Sequence, residues 1–345
     1  MSLVKLLKRK NKKLLFTTPS HSQSFVLYSP LKSMYKIDIS ETDAHNPEEA
    51  LCKAQERARK IYKTNSTCFL TNGSTSGVIA SVLACVNSGD KVLIWRDSHP
   101  CHLNAVKLAG GIPVYYDLEV DEEWGVPLET DPEMIEQYFK SYDIKALIVT
   151  SPTYEGIVSD VKKLKKICEK YNAYLIVDEA HGALYPFSKR LPESAVNIAD
   201  FTIQSLHKTA GGLNPTALLH SMTNLNIQKA LSMINTTSPS YPLLASIEEN
   251  ISFLNCWWGK RKLEQLIEEL ENLQEECTNC EFFGDDITKI LVKVDGISGE
   301  ELSEILFENY NIEDEKTNSK STMFLCGIGT DFKKLKKLKN ALKKL

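Results

Sequence analysis

Two short apolar runs on either side of one helical segment restrict the folds that this chain of 345 residues can adopt. The runs are residues 146–150 and residues 174–177, and apolar side chains recur at helical spacing across residues 161–171. A run this short and this apolar is typical of a parallel strand that is covered on both faces. The pattern therefore predicts two strands of a parallel sheet with a crossover helix between them.

The same alternation of strand and helix extends over much of the chain and sets its expected organisation. Helical patterns separate further predicted strands at residues 67–70, 91–95, 112–116 and 201–203. We therefore expect a doubly wound α/β domain with a mostly parallel sheet over residues 47–236, after an N-terminal arm of residues 1–46. Residues 237–345 are expected to form a linking helix and a small C-terminal α+β domain.

The C-terminal part of the chain has a different pattern, with longer helical segments. One helical stretch is predicted from residue 240 through the charged residues 262–276, and strands are predicted at residues 287–294 and 322–326. A last helix is expected from Asp331. Its predicted apolar side consists of Phe332, Leu335, Leu338, Leu342 and Leu345.

Polar side chains follow several predicted strands at their carboxyl ends. Asp178 comes directly after one strand, and Ser205, His207 and Lys208 come after the next. Carboxyl ends of parallel strands meet at one edge of a sheet, where ligands bind. The loop of residues 151–156 is expected to reach the same edge and to line a ligand.

An aspartate at one strand end and a lysine at the next suit the chemistry of pyridoxal phosphate (PLP). A lysine amine forms a Schiff base with the cofactor's aldehyde, and an aspartate keeps the pyridine nitrogen protonated so that the ring withdraws electrons. Serine and histidine side chains donate hydrogen bonds to the phosphate. We therefore interpret Lys208, Asp178, Ser205 and His207 as parts of a PLP site.

A second candidate for phosphate binding lies between the first predicted strand and the helix after it. Residues 71–77 are rich in Thr, Ser and Gly, and an apolar helical segment follows. Backbone N–H groups at a helix start and short hydroxyl side chains both bind anions. The same pattern is typical of an ordinary serine-capped helix. His99, at another strand end, also has two interpretations, as a structural residue or as a ring that stacks on a cofactor.

Composition favours small-molecule chemistry. A net charge of −4 and a pI near 6.0 give no basic surface of the kind that nucleic acid requires. Nine cysteines, an odd number, indicate reduced thiols and a cytoplasmic location. Cys277 and Cys280 form a C-x-x-C pair without a second pair to complete a zinc site, so we expect no metal.

The sequence also predicts no association with membranes. No apolar run reaches the roughly 18 residues that a membrane span needs. The basic residues 5–13 lack the apolar core of a signal peptide, and we expect them to form a solvated arm rather than a helix on an anionic surface.

Taken together, these motifs resemble the Orn/Lys/Arg decarboxylase family of PLP enzymes, which has the aspartate aminotransferase fold. The resemblance extends from about residue 16 to residue 345, and its motifs occur in the family's order. The matching stretches are residues 18–21, 72–76, 96–99, 151–156, 177–183, 204–209 and 238–241. Each motif alone is weak, whereas their combination is specific.

The resemblance implies a role for each site residue. Lys208 is the Schiff-base lysine, and Asp178 is the partner of the pyridinium nitrogen. His99 stacks on one face of the ring, Ala180 packs against the other face, and His181 lies near the ring edge or the phenolic oxygen. The remaining cofactor-binding residues, on the phosphate side, are Ser74, Thr75, Ser76, Ser205 and His207.

The resemblance further implies decarboxylation of lysine, arginine or ornithine to the corresponding amine, by a homodimer whose active sites lie at the subunit interface. The chain is expected to be a short form without the family's N-terminal wing and extra C-terminal domain. It also differs from the family at residues 19–22, where Pro-Ser-His-Ser replaces Pro-Gly-His-Lys, and at residues 213–216.

Two alternative functions remain open from the sequence. One is another PLP-dependent reaction, such as transamination or elimination, because the same electron sink serves all of them. The other is a PLP-binding protein without turnover. No residue can be assigned to the distal amine of a basic substrate, although Glu313 and Glu315 are candidates.

Overall fold

The computed structural model describes residues 2–10, 32–39 and 49–345. The motif at residues 18–21, the difference from the family at residues 19–22 and much of the expected N-terminal arm lie outside these residues. The architecture below therefore concerns the described part of the chain.

A seven-stranded sheet forms the centre of the described chain. The strands up to residue 221 are β1 (Ser66–Leu70), β2 (Lys91–Trp95), β3 (Ile112–Tyr116), β4 (Val120–Asp121), β5 (Val126–Pro127), β6 (Ile144–Thr150), β7 (Tyr174–Asp178), β8 (Phe201–Ser205) and β9 (Ala217–Ser221). The sheet has the order β1-β9-β8-β7-β6-β2-β3, while β4 and β5 pair with each other. Within the seven-stranded sheet, β9 runs antiparallel to β1 and β8, and the other pairings are parallel. The predicted mostly parallel α/β sheet is confirmed.

Helices surround this sheet and continue beyond it. In chain order they are α1 (Leu3–Lys10), α2 (Lys32–Tyr35), α3 (Glu49–Tyr62), α4 (Gly73–Cys85), α5 (Pro100–Leu108), α6 (Pro132–Ser141), α7 (Val161–Lys170), α8 (Leu206–Thr209), α9 (Ile227–Ser232), α10 (Tyr241–Asn255), α11 (Trp257–Glu276), α12 (Gly299–Tyr310) and α13 (Phe332–Leu342). None of these described helices combines the length and the hydropathy that a membrane crossing needs.

The continuous apolar runs of the sequence are explained by burial on both faces of the sheet. Successive side chains of a strand point to opposite faces. In β6, Ile148 belongs to an apolar cluster with Val82 of α4 and Val106 of α5. Its neighbour Leu147 belongs to a second cluster with Leu164 of α7. A strand between two helical layers therefore has no position for an exposed polar residue until it ends.

A second, antiparallel sheet follows in the C-terminal part. Its strands are β10 (Cys280–Phe283), β11 (Lys289–Val294), β12 (Lys316–Thr317) and β13 (Thr322–Leu325), in the order β10-β11-β13-β12. Helices α11, α12 and α13 pack on it through one apolar cluster. The division of the chain at residue 237 stays a prediction.

The structure corrects three expectations for the C-terminal part. The single helical stretch predicted from residue 240 is two helices, because Cys256 has extended backbone dihedrals and ends α10 where α11 begins. Strand β10 was not predicted. Phe332 is 42% exposed rather than buried, although Leu335, Leu338 and Leu342 of the same helix are buried.

Replacing Gly77 in α4 with alanine is expected to destabilise the fold. A Cβ at this position would lie 2.8 Å from Cγ2 of Ile203 and 2.9 Å from Cδ1 of Leu70. We expect Gly77→Ala to lower the free energy of unfolding by about 1–3 kcal/mol, as overpacking does in other cores. Chemical denaturation measures the change. Gly329→Ala is the control because a Cβ there meets no atom within 4 Å. Equal stability of the two variants would contradict the packing argument.

Candidate functional site

Asp178 occupies the carboxyl end of β7 and is 5% exposed. Its Oδ2 lies 3.0 Å from Nε2 of His102, and its Oδ1 accepts a hydrogen bond from the Ala180 N–H at 3.1 Å. Burial raises the pKa of this carboxyl group, but the His102 hydrogen bond, the positive charge of Lys208 and the Ala180 N–H together hold the pKa below its usual value. Asp178 is therefore a buried, charged carboxylate.

Lys208 lies in the short helix α8, which begins directly after β8. Its Nζ is 2.8 Å from Nε2 of His181. Burial lowers the pKa of the Lys208 amine, the charge of Asp178 opposes this effect, and the charge of Lys289 adds to the lowering. A lowered pKa increases the fraction of unprotonated amine, which is the nucleophilic form.

His181 connects the lysine to the loop that follows β6. Its ring centroid lies 4.6 Å from that of Tyr154. Burial holds the pKa of His181 well below its usual value, and the positive charges of Lys208 and Lys289 act in the same direction. A neutral His181 accepts a hydrogen bond from the Lys208 amine and keeps that amine directed at the sheet edge. Ala180, the residue before it, is buried.

The start of α4 has features of an anion site. Asn72 precedes the helix without making a side-chain capping hydrogen bond, so the serine-capped alternative does not describe this helix start. Ser74 is partly buried and Thr75 is exposed. Ser76 differs from both because it is buried and its hydroxyl donates to the Gly73 carbonyl oxygen at 2.8 Å. Its hydroxyl is thus already used within the helix.

Ser205 and His207 lie at the neighbouring strand end. The Ser205 hydroxyl is fully buried and has no hydrogen-bond partner. Nδ1 of His207 lies 3.1 Å from the carbonyl oxygen of Thr216. The loop before β9 joins the two helix starts, because Gly73 donates to Pro215 and Leu206 donates to Thr216. Leaving a buried hydroxyl unpaired costs free energy. A bound anion would supply the hydrogen-bond acceptor that the Ser205 hydroxyl lacks.

The remaining predicted residue, His99, precedes α5 as its N-cap. Its Nδ1 accepts a hydrogen bond from the Cys101 N–H at 3.2 Å, and its side chain is exposed. A capping role and a stacking role use different parts of the ring, so both interpretations of His99 remain compatible with this position.

One group of possible metal ligands lies within the site among the described residues. One ligand atom from each of Cys101, His102 and Asp178 lies within 4.8 Å of the other two. The His102–Asp178 hydrogen bond uses the nitrogen and the oxygen that a metal would need. Burial raises the pKa of the Cys101 thiol to about 12, which disfavours the thiolate form that binds metals. We therefore interpret this group as a hydrogen-bonded pair beside a thiol.

Sequence reasoning missed three contributors to the site. His102 lies one helical turn after His99, and this spacing was the available signal. Tyr154 belongs to the loop that was expected to line a ligand, but its hydrogen bond to Glu315 joins residues 161 positions apart. Lys289 of β11 is fully buried, and its Nζ donates to the His181 carbonyl oxygen at 3.4 Å and to Asp286 at 3.2 Å.

The residues present fit the cofactor expected from the sequence. The unpaired Ser205 hydroxyl and the start of α4 suit a phosphate group. The Lys208 amine suits an aldehyde, and the charged Asp178 carboxylate suits a protonated ring nitrogen. Asp178 and Lys208 also affect each other's pKa, so the two groups interact electrostatically.

Comparisons with known proteins match this chain to decarboxylases of basic amino acids. A model of the family described as Orn/Lys/Arg decarboxylase, major domain, matches residues 4–294. An arginine decarboxylase from Bacillus anthracis is 30% identical over 309 residues, which are 83% of this chain and 62% of that protein. An arginine decarboxylase from Bacillus subtilis is 29% identical over 295 residues, which are 79% of this chain and 60% of that protein.

A solved structure supports the same fold. The lysine decarboxylase of Francisella novicida superposes with a TM-score of 0.88 at 19% identity, over 99% of this chain and 59% of that chain. This likeness confirms the predicted aspartate aminotransferase-like fold. The chain spans about three fifths of the length of these three decarboxylases.

Replacing Ser205 with alanine is expected to separate ligand binding from stability. Without cofactor, the free energy of unfolding should stay the same or rise, because the lost hydroxyl is buried and unpaired. Affinity for pyridoxal phosphate should fall about tenfold to a hundredfold, the loss expected for one hydrogen bond to a charged group. Titration of the cofactor-free protein measures this affinity.

Ser81→Ala is the matched control for that measurement. Ser81 is equally buried in α4, but its hydroxyl donates to the Gly77 carbonyl oxygen at 2.8 Å. Its replacement should leave the affinity for pyridoxal phosphate unchanged. Wild-type affinity in Ser205→Ala would remove Ser205 from the phosphate site.

Proposed function

The chain belongs to the Orn/Lys/Arg decarboxylase family, and from this membership we propose that it binds pyridoxal phosphate and decarboxylates a basic amino acid. The observation that carries the proposal is the pairing of a charged, buried Asp178 with a partly buried Lys208 amine at adjacent strand ends. The unpaired hydroxyl of Ser205 nearby supports it.

Each expected residue has a defined task in this proposal. Lys208 would hold the cofactor through its aldehyde carbon, and Asp178 would hold a proton at its ring nitrogen. His99 and Ala180 would contact the ring, and Ser74, Thr75, Ser205 and His207 would hold the phosphate. Ser76 supports the start of α4 through its bond to Gly73 rather than through a free hydroxyl.

When bound, the cofactor supplies an electron sink that stabilises the carbanion formed as CO2 leaves. The protein's own contribution is electrostatic. Asp178 stays negative because His102 and the Ala180 N–H donate to it, so a proton opposite its carboxylate is retained. The lowered pKa of the Lys208 amine increases the fraction that is unprotonated, and His181 is placed to accept a hydrogen bond from this amine.

Glu315 is our candidate for binding the distal cation of the substrate. It accepts a hydrogen bond from the Tyr154 hydroxyl, and the ring of Tyr154 lies 5.9 Å from Nζ of Lys208. Glu155, the other acidic residue beside this loop, is already paired with Lys316. A carboxylate bonded to a tyrosine that neighbours the lysine suits the ammonium or guanidinium group of lysine, ornithine or arginine.

Three further features remain part of the proposal. We propose a homodimer with active sites at the subunit interface, as the family resemblance implies. We propose a cytoplasmic location, which the nine free thiols support. We also keep the division into an arm of residues 1–46, a cofactor-binding domain of residues 47–236 and a C-terminal domain of residues 237–345.

Incubation with individual amino acids tests the reaction. We expect lysine, arginine or ornithine to yield one equivalent of CO2 for each equivalent of amine, without a keto acid. A keto acid in place of CO2 would favour transamination. Cofactor binding without any product would favour a protein that binds PLP without turnover.

Lys208→Ala is expected to abolish covalent attachment of the cofactor. Borohydride reduction of the wild-type protein with pyridoxal phosphate should fix the cofactor to the peptide that contains Lys208, as mass spectrometry of the digest detects. Lys208→Ala should lose both this adduct and the visible absorbance of the bound cofactor, because the substitution removes the amine that forms the covalent bond. Lys165→Ala, which removes a lysine on α7, is the control and should retain both. A reduced adduct on another lysine in Lys208→Ala would overturn the assignment.

Glu315→Gln is expected to raise KM for the basic amino acid about tenfold to a hundredfold, with a smaller effect on kcat. The variant keeps the shape of the side chain but loses a charge-assisted interaction worth about 1.5–3 kcal/mol. Steady-state kinetics measure both constants. Glu313→Gln is the matched control, two residues earlier, and should leave KM unchanged. A raised KM in Glu313→Gln alone would assign the role to Glu313. An equal rise of KM in both variants would exclude a specific role for Glu315.

A further inference from the structure

His102 is a fully buried histidine to which the proposed mechanism assigns no contact with cofactor or substrate. It lies on α5, one turn after the N-cap His99, and faces the carboxyl end of β7. Its Nε2 lies 3.0 Å from Oδ2 of Asp178. The two residues are separated by 76 positions in the sequence, so the sheet rather than local structure brings them together.

The hydrogen bond defines the tautomer of His102. A charged carboxylate only accepts hydrogen bonds, so the hydrogen lies on Nε2 of the imidazole. Nδ1 of His102 is buried without a partner. A hydrogen on Nδ1 would therefore be a buried donor without an acceptor, which is costly. The arrangement is an Nε2–H imidazole that donates to Asp178.

Two hydrogen bonds from different elements then fix the carboxylate of Asp178. His102 of α5 donates to Oδ2, and the Ala180 N–H donates to Oδ1 at 3.1 Å. A carboxylate has about four lone-pair positions, so each oxygen keeps one for a further donor. With both oxygens held, the plane of the carboxylate cannot rotate freely about the Cβ–Cγ bond.

We propose that His102 is a positioning residue that orients the Asp178 carboxylate toward the protonated ring nitrogen of the cofactor. The inference rests on the proposed function, since it assigns a support to a residue of that same site. His102 touches neither substrate nor cofactor in this scheme and acts only through Asp178. A merely structural histidine would stabilise the fold without changing how Asp178 interacts with the ring nitrogen.

Cofactor binding and spectroscopy of two variants distinguish these roles. In His102→Leu, which has no donor, we expect the dissociation constant of pyridoxal phosphate to rise about tenfold, the effect of one weakened charge-assisted hydrogen bond. The pH midpoint of the visible absorbance should rise by about one unit. The reason is that a ring nitrogen without its proton no longer carries a positive charge, so the nitrogen that joins Lys208 to the cofactor is protonated more easily. His102→Gln keeps an N–H donor and should restore most of both values.

His220→Gln is the control for loss of a buried histidine from the same sheet. His220 is also fully buried, but it contacts Thr67 and Gln204 rather than Asp178. Its replacement should lower the melting temperature without moving the dissociation constant or the spectral midpoint. Wild-type values of both quantities in a folded His102→Leu variant would overturn the proposal.

A measurement on the unaltered protein covers the case in which His102→Leu does not fold. Nitrogen-15 NMR of the histidine side chains should show the hydrogen of His102 on Nε2, and its resonance should shift when pyridoxal phosphate binds. A hydrogen on Nδ1, or no shift on binding, would overturn the positioning role. Failure of the wild-type protein to bind pyridoxal phosphate at all would instead contradict the proposed function, while the tautomer of His102 could still be observed.

Discussion

The structure depends on keeping a negative charge on Asp178 inside the protein. Transfer of a carboxylate from water into a protein interior costs several kcal/mol unless hydrogen bonds and opposite charges compensate. Here the compensation comes from His102 of α5, from the Ala180 N–H beyond β7, and from the amine of Lys208 in α8. These three elements meet only because β2, β6, β7 and β8 lie side by side in the sheet.

The same edge of the sheet gathers groups from distant parts of the chain. Strands β6, β7 and β8 are parallel neighbours, so the residues that follow them lie close together. The second sheet adds Lys289 of β11, which donates to the backbone of His181. Glu315, just before β12, and Lys316, its first residue, bond to Tyr154 and Glu155 of the loop after β6. The polar chemistry of the site is therefore shared between both sheets.

The central strands were predictable because a buried strand has a recognisable run of apolar residues in the sequence. A strand between two helical layers is apolar at most positions, and the predicted strands at residues 91–95 and 112–116 have the bounds that the structure shows. Asp178 and Lys208 were found because they follow such strands. Strand β9 was harder to predict, because its five residues end in the polar His220 and Ser221. Amino-acid composition also does not reveal whether a strand runs parallel or antiparallel to its neighbours. Phe332 fits the apolar spacing of α13, but it is the first residue of that helix and extends beyond the core that covers Leu335.

The sequence by itself determined the order of strands and helices, the residue types at the strand ends and hence the class of cofactor to expect, because each of these depends on residues close together in the chain. Only the tertiary structure decided which groups become partners. The contacts of His102 with Asp178 and of Tyr154 with Glu315 join residues 76 and 161 positions apart. The pKa directions of Asp178, His181 and Lys208 likewise follow from burial and from charges on other elements. Hydrogen bonding and desolvation act through space, so no local pattern of residues specifies them.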